Sequence, residues 1–177
     1  MPALGGEPVI ADVSRPAAGF FLDDSAATEA LGRALAATRP QQAVVFLHGE
    51  LGAGKSTLAR AMLRALGVHG TIRSPTYTLV EDYTLADGSR ALHLDLYRIG
   101  APGELEFLGL AEADPALWLV EWPERGGDGL PPADLRVRLG IEGGGRQVGL
   151  EALSPVGQAW IARLEEAGWL RTFSSVN

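Results

Sequence analysis

The sequence predicts an α/β domain built on a mixed sheet flanked by helices, with a C-terminal β-hairpin and a final helix. Three observations carry that prediction. Residues 43–47 (Ala-Val-Val-Phe-Leu) form a short continuous apolar run, as expected of a strand buried on both faces of a sheet. A glycine-rich turn follows at once and leads into a helical pattern. A second apolar run at 117–120 and alternating stretches at 135–141 and 147–153 supply further strands, and strands mixed with helices after a glycine turn define the class.

Residues 1–19 are rich in Pro, Gly and Ala without apolar periodicity, so a flexible leader is expected there. A helix is expected over 25–37, with Asp24 or Ser25 as cap and Leu31 and Leu35 four residues apart on one face,. Arg39-Pro40 ends it. After the first strand and its turn, a helix over 55–66 closes at Gly67,. Strands follow at 77–83 and 90–95, separated by the turn signal Asp87-Gly88,. A short helix is expected at 104–108, a strand at 117–120 ending at Glu121, and a loop at 126–132. The hairpin 135–141/147–153 turns around Gly143-Gly144-Gly145. Ser154 and Pro155 suit the cap and first turn of a last helix reaching residue 167,. The chain is thus divided into a leader (1–19), one α/β domain (20–153) and a C-terminal helical extension with its tail (154–177).

Composition narrows the function classes. The 177 residues are 46% hydrophobic and 21% charged with no Cys, which excludes a disordered chain, a disulfide scaffold and any Cys-ligated metal centre. No stretch approaches the roughly 20 apolar residues of a membrane span, and the first 19 residues lack the order of a signal peptide. A cytoplasmic protein with no membrane partner is expected. The net charge of −7 argues against direct gripping of DNA or RNA, because backbone binding needs Lys and Arg against phosphates. Fourteen of the fifteen basic residues are Arg and one, Lys55, is Lys. Wherever the chemistry needs an ammonium group, Lys55 must provide it.

Gly49-Glu50-Leu51-Gly52-Ala53-Gly54-Lys55-Ser56 matches the pattern G-x-x-x-x-G-K-[ST], lies between a predicted strand and a predicted helix, and continues into Thr57,. From composition alone about 0.0015 such matches are expected in the chain. Glycines let successive N–H groups curl inward onto phosphate oxygens, and the helix N-terminus adds its positive end. In this pattern Lys55 reaches the β- and γ-phosphates and Ser56 places its hydroxyl on Mg2+. The segment reads as a nucleoside triphosphate site on a P-loop NTPase-like fold.

Hydrolysis also needs an acid at a neighbouring strand end, to hold the metal or orient the attacking water. Asp95 and Glu121 both end apolar runs and are both candidates; the alternative for each is a solvated carboxylate. Thr76 lies in the connection where switch nucleotidases carry a threonine that senses the γ-phosphate, although Ser74-Pro75-Thr76 also reads as an ordinary turn. The three histidines, His48, His69 and His93, are scattered and read as structural. Trp122 stands out among the aromatics because it follows Glu121 where the chain leaves the sheet. The guanine-recognition segment Asn-Lys-x-Asp or Thr-Lys-x-Asp cannot exist here, since Lys55 is the sole Lys and Asn177 the sole Asn. ATP is favoured by elimination, with the helix at 25–37 and the later hairpin free to supply its base pocket.

Together the segments 49–57, Ser74-Pro75-Thr76-Tyr77-Thr78-Leu79-Val80, His93-Leu94-Asp95-Leu96-Tyr97-Arg98 and Glu121-Trp122-Pro123-Glu124 resemble the TsaE family, also called YjeE, over residues 20–153. The resemblance implies a Mg2+-dependent ATPase needed to make threonylcarbamoyladenosine in tRNA. It implies TsaD and TsaB as partners, tRNA being reached through that complex. It carries Lys55 and Ser56 onto the P-loop Lys and hydroxyl, Thr76 onto the switch-like Thr, Asp95 onto the acid of H-x-D-L-Y-R, and Glu121 and Trp122 onto the acid and indole of E-W-P-E. Glu121 is thereby assigned with Ser56 to Mg2+, and Asp95 to Mg2+ or water. The implied nucleotide contacts are residues Glu50, Leu51, Gly52, Ala53, Gly54, Lys55, Ser56 and Thr57, with Trp122. Arg73, Arg98 and Arg125 lie near the motifs, but none is identifiable as an arginine finger, so slow turnover without partners is expected. Two rival readings are a small-molecule kinase, with 126–132 as its lid, and a nucleotide-sensing adaptor without catalysis.

Overall fold

The computed structural model describes residues 17–175, and its architecture follows from which strands can be buried on both faces. Eight strands form one sheet: β1 (Ala17–Leu22), β2 (Ala43–His48), β3 (Val80–Thr84), β4 (Arg90–Asp95), β5 (Leu117–Glu121), β6 (Leu135–Glu142), β7 (Gly145–Ala152) and the two-residue β8 (Ser174–Ser175). Their spatial order is β3-β4-β5-β2-β6-β7-β1-β8. The continuous apolar runs occupy the centre, where β2 lies parallel to both β5 and β6, and β5 parallel to β4. The alternating stretches pair antiparallel as β6–β7, and β1 and β3 extend the two sides antiparallel as well.

Three helices complete the layer structure: α1 (Ser25–Thr38), α2 (Lys55–Ala65) and α3 (Pro155–Glu166). Asp24 caps α1 through Oδ1, which accepts from the Ala27 N–H at 2.8 Å. Ser154 caps α3 by accepting from the Gly157 N–H at 3.1 Å, with Pro155 in the first turn. Leu31, Leu35, Leu58, Met62, Trp160 and Leu164 share a core with Val45, Leu47, Leu117 and Leu119. The alternate side chains of the same strands, including Leu92, Leu94, Trp118 and Val120, form a second core with Ile99, Leu105 and Leu110. That second face is covered by 3₁₀ turns at Pro102–Leu108 and Leu110–Glu112 rather than by long helices.

The structure corrects the sequence reading at three places. Residues 17–19, assigned to the leader, belong to β1, where Ala17 pairs with Leu150 and Phe20 with Val148; residues 1–16 lie outside the described residues. An Ala-Ala-Gly start shows no alternation, so only pairing with β7 reveals the strand. The strand expected from residue 77 begins at Val80, because Leu79 sits in the left-handed region at φ 66° and its N–H closes a turn onto the Pro75 carbonyl at 2.7 Å. The helix of residues 154–177 is built into the main core rather than appended to it. Trp160 is fully buried and its indole N–H is shared between the Leu35 carbonyl and Thr38 Oγ1, both at 3.2 Å. Arg163 donates to the Thr38 carbonyl at 2.9 Å.

Trp160→Ala therefore costs about 3–5 kcal/mol, the usual range for emptying a buried aromatic site. Urea denaturation at two or more wavelengths measures it. A change below about 1 kcal/mol is the surface-substitution outcome and contradicts the shared core.

Candidate functional site

Parallel pairing brings the site together. Leu47 on β2 is in register with Glu121 on β5, and Glu121 with Asp95 on β4. The C-terminal ends of three central strands are thus flush, and Gly49 starts the phosphate-type loop beside them, the usual ligand edge of such a sheet. Gly54 caps α2 in the left-handed region at φ 104°, and Gly49 is packed so closely that a Cβ there would strike the Leu139 carbonyl. Both positions require glycine for this loop path.

Within the cleft, the ammonium of Lys55 is turned inward. Nζ donates to the Gly49 carbonyl at 2.6 Å and the Glu50 carbonyl at 2.9 Å, and lies 4.4 Å from the centre of the Trp122 ring. Burial pushes its pKa below the usual lysine value, opposed by the carboxylates of Glu121 and Asp95,. Next to it, Ser56 Oγ faces both oxygens of Glu121, at 2.9 and 3.0 Å. Thr76 Oγ1 donates to Asp95 Oδ2 at 2.9 Å and meets Ser74 Oγ at 2.9 Å, while the Tyr97 N–H donates to Asp95 Oδ1 at 3.1 Å. Asp95 and Glu121 are 4% and 2% exposed. They are buried, partnered carboxylates, not solvated strand ends.

Lys55, Ser56, Thr76, Asp95, Glu121 and Trp122 line one cleft, together with Leu51, Gly52, Gly54, Thr57 and Tyr97. Ala53 lies buried beneath the loop, and Glu50 contributes its carbonyl to Lys55 while its side chain is exposed. Trp122 adopts φ 56°, ψ 48° before the 3₁₀ turn Pro123–Arg125, which folds its indole back against Tyr97 at 5.0 Å between ring centres. Of the arginines near the motifs, Arg98 stacks over Tyr77 at 4.4 Å and Arg125 lies 5.6 Å over Trp122.

A second cleft adjoins the first across Gly52, Gly54 and Thr57. Asp24, Ser25 and Thr28 from the start of α1 line it, with Gly144, Gly145 and Arg146 from the β6–β7 turn. Sequence reasoning missed Arg146, whose guanidinium donates to the Ala53 carbonyl at 3.0 Å and the Gly52 carbonyl at 2.9 Å. Its separation of more than 90 residues from the loop leaves no local signal. Ser74 and Tyr97 lie inside quoted motifs, yet only the fold shows what they touch. Among the described residues no helix is long and apolar enough to cross a membrane.

The family model described as "Threonylcarbamoyl adenosine biosynthesis protein TsaE" matches residues 22–148. The chain belongs to the TsaE family. Relatives carrying the name tRNA threonylcarbamoyladenosine biosynthesis protein TsaE include one from Haemophilus influenzae, 44% identical over 117 residues, covering 65% of this chain and 73% of that protein. Another, from Synechocystis, is 42% identical over 113 residues, covering 60% of this chain and 70% of the other. Among solved structures, the crystal structure of YdiB from Bacillus subtilis superposes with a TM-score of 0.73 at 23% identity, covering 88% of this chain and 97% of that one. This last likeness bears on the fold, which is α/β and P-loop NTPase-like. Membership of the TsaE family ties the chain to threonylcarbamoyladenosine biosynthesis.

In this TsaE member Arg146 tethers the loop from outside the family's sequence motifs. Arg146→Ala removes the two hydrogen bonds that a charged donor makes to the loop, on the order of 1.5–3 kcal/mol each at most. Amide exchange of residues 50–54 is expected to quicken by about tenfold or more while β2 stays protected. Unchanged exchange in the loop contradicts the tether.

Proposed function

We infer that the chain binds ATP with Mg2+, hydrolyses it, and does so as a working part of an assembly with TsaB and TsaD, reaching tRNA through them. The observation that carries this reading is the convergence of one buried ammonium, one loop hydroxyl and two buried carboxylates at the mouth of a glycine loop. Such loops wrap the polyphosphate in backbone N–H groups and use the lysine on the β- and γ-phosphates. The donor set offered to a metal is all oxygen: Ser56 Oγ, Glu121 and Asp95 with the hydroxyl of Thr76 beside them. Hard oxygen donors of this kind, few in number and supplemented by phosphate and water, suit Mg2+. When bound, Mg2+ supplies charge neutralisation on the transferring phosphoryl group.

The chain's own residues have separable tasks in this reading. Lys55 leaves the Gly49 and Glu50 carbonyls and binds phosphate oxygens. Ser56 and Glu121 form the metal side of the cleft, and Asp95, held by Thr76 and the Tyr97 N–H, orients the attacking water or joins the metal side. Trp122 covers the phosphate end. The second cleft, between α1 and the β6–β7 turn, takes the base and ribose. The segment 126–132 packs through Leu130 against the second core, its Gly129 lies close to Leu105, and it is not among the residues that line the cleft, which favours hydrolysis over a kinase with a lid there. No Arg lines the phosphate cleft among the described residues. The positive group that stabilises transition-state charge is supplied by a partner, as trans-acting arginines do elsewhere, where they are worth about 10³–10⁵ in rate.

The test is calorimetric titration with Mg-ATP followed by phosphate release with and without TsaB and TsaD. Native protein is expected to bind one ATP and to turn over faster with the partners. Lys55→Ala abolishes binding. Glu121→Gln retains nucleotide but loses magnesium-dependent turnover by about 10²-fold or more, the scale of removing one preorganised electrostatic group. A Glu121 variant that hydrolyses normally, or a lone chain as fast as the assembled one, contradicts the reading; a phosphorylated metabolite in place of free phosphate favours a kinase.

A further inference from the structure

His93 opens the H-x-D-L-Y-R segment and is not among the residues that would meet ATP or Mg2+. It is fully buried on β4, on the same side of the strand as Asp95, and Nε2 lies 2.7 Å from Glu121 Oε1. Its other nitrogen, Nδ1, is buried and meets no hydrogen-bond partner among the described residues. Glu121 Oε1 is also one of the two oxygens that face Ser56 Oγ, at 2.9 Å. His93, Glu121 and Ser56 therefore form a line from the middle of the sheet to the metal side of the cleft.

We propose that His93 is a positioning residue that donates from Nε2–H to Glu121 Oε1 and fixes the carboxylate toward Ser56, so that this carboxylate need not be reordered when Mg2+ arrives with ATP. The geometry selects the tautomer. With the proton on Nε2 the ring makes one charge-assisted hydrogen bond and leaves only a lone pair at the unpartnered Nδ1. The opposite tautomer would set a lone pair against the carboxylate and bury an N–H without an acceptor, which is the costlier arrangement. A carboxylate free to rotate between Ser56 and its neighbours must be ordered when the metal arrives; one already held by a buried imidazole need not be. Residues that orient ligands in this way typically change metal affinity by 10–100-fold when removed.

This inference rests on the ATP and Mg2+ reading, and its test separates the two. ATP affinity is measured by calorimetry across a magnesium series, and without magnesium in the presence of a chelator, for native protein, His93→Leu, His93→Gln and His93→Asn. His93→Leu is expected to raise the magnesium concentration giving half-maximal tightening of ATP binding by about tenfold or more, leaving ATP affinity in the chelator unchanged. In His93→Gln the amide nitrogen falls where Nε2 lies, and native behaviour returns. In His93→Asn it falls where Nδ1 lies, and the defect persists. Proton–nitrogen spectra of the metal-free, nucleotide-free protein are expected to show a slowly exchanging ring proton on His93 Nε2, lost in all three variants. Equal weakening of ATP binding with and without magnesium, an unaltered magnesium series in His93→Leu, Gln no better than Asn, or a proton on Nδ1 each overturns the proposal. If His93→Leu does not fold, the Gln and Asn pair and the spectrum decide. Native protein that ignores magnesium sinks the ATP and Mg2+ reading instead, and the ring-proton result still tests the hydrogen bond.

Discussion

The site depends on one constraint: three parallel strands end at the same level. Leu47, Glu121 and Asp95 stand in register across β2, β5 and β4, so a loop leaving β2 has two carboxylates beside it. A slip of one residue in either pairing turns the carboxylate to the other face of the sheet, because side chains alternate with period two. The apolar residues preceding each acid are what hold the register. Leu117, Leu119, Val45 and Leu47 fill the core with α1, α2 and α3, while Trp118 and Val120 fill the opposite one. Burial of strand residues on both faces thus places charge at the strand ends, and packing and chemistry are two results of one alignment.

Around that alignment, the ammonium, the two hydroxyls and the two carboxylates at the mouth of the loop are all paired within the protein. Lys55 is held by the carbonyls of its own loop, Ser56 by Glu121, and Thr76 by Asp95. Such pairing keeps buried polar groups satisfied without ligand and leaves them placed for exchange. Two non-glycine residues flank the cleft with positive φ, Leu79 at 66° and Trp122 at 56°. Backbone in that region costs a bulky side chain on the order of 1 kcal/mol or more, and it persists where surrounding contacts over-determine it. At Leu79 those contacts are the turn onto Pro75 and the hydrogen bond from the Asp95 N–H to the Leu79 carbonyl, 3.0 Å. The segment bearing Thr76 is consequently tied to the same strand end as its carboxylate partner.

Much of this was legible in the sequence wherever the signal was local. The glycine loop, its lysine and hydroxyl, and the acids closing two apolar runs are patterns within ten residues, and α1, α2, α3, β2 and β4 to β7 appear close to where periodicity and caps place them. What escaped depends on pairing between distant segments. Ala17–Leu22 is a strand because β7 lies beside it. His93 looked structural because nothing in the chain says that residue 121 will stand beside residue 93. Arg146 reaches the loop by the register of a hairpin. The helix carrying Trp160 resembled an addition because its apolar face, read alone, does not name the core it enters.

For the proposed nucleotide site to work, Lys55 must exchange backbone carbonyls for phosphate oxygens, and the composition offers a direct view of that exchange. Lys55 is the only lysine in the chain, so lysine-selective carbon-13 labelling yields a single ε-carbon resonance. Titration with ATP in the presence of magnesium is predicted to move that resonance, saturating at one nucleotide per chain. A resonance that stays in place through the titration would contradict the central claim.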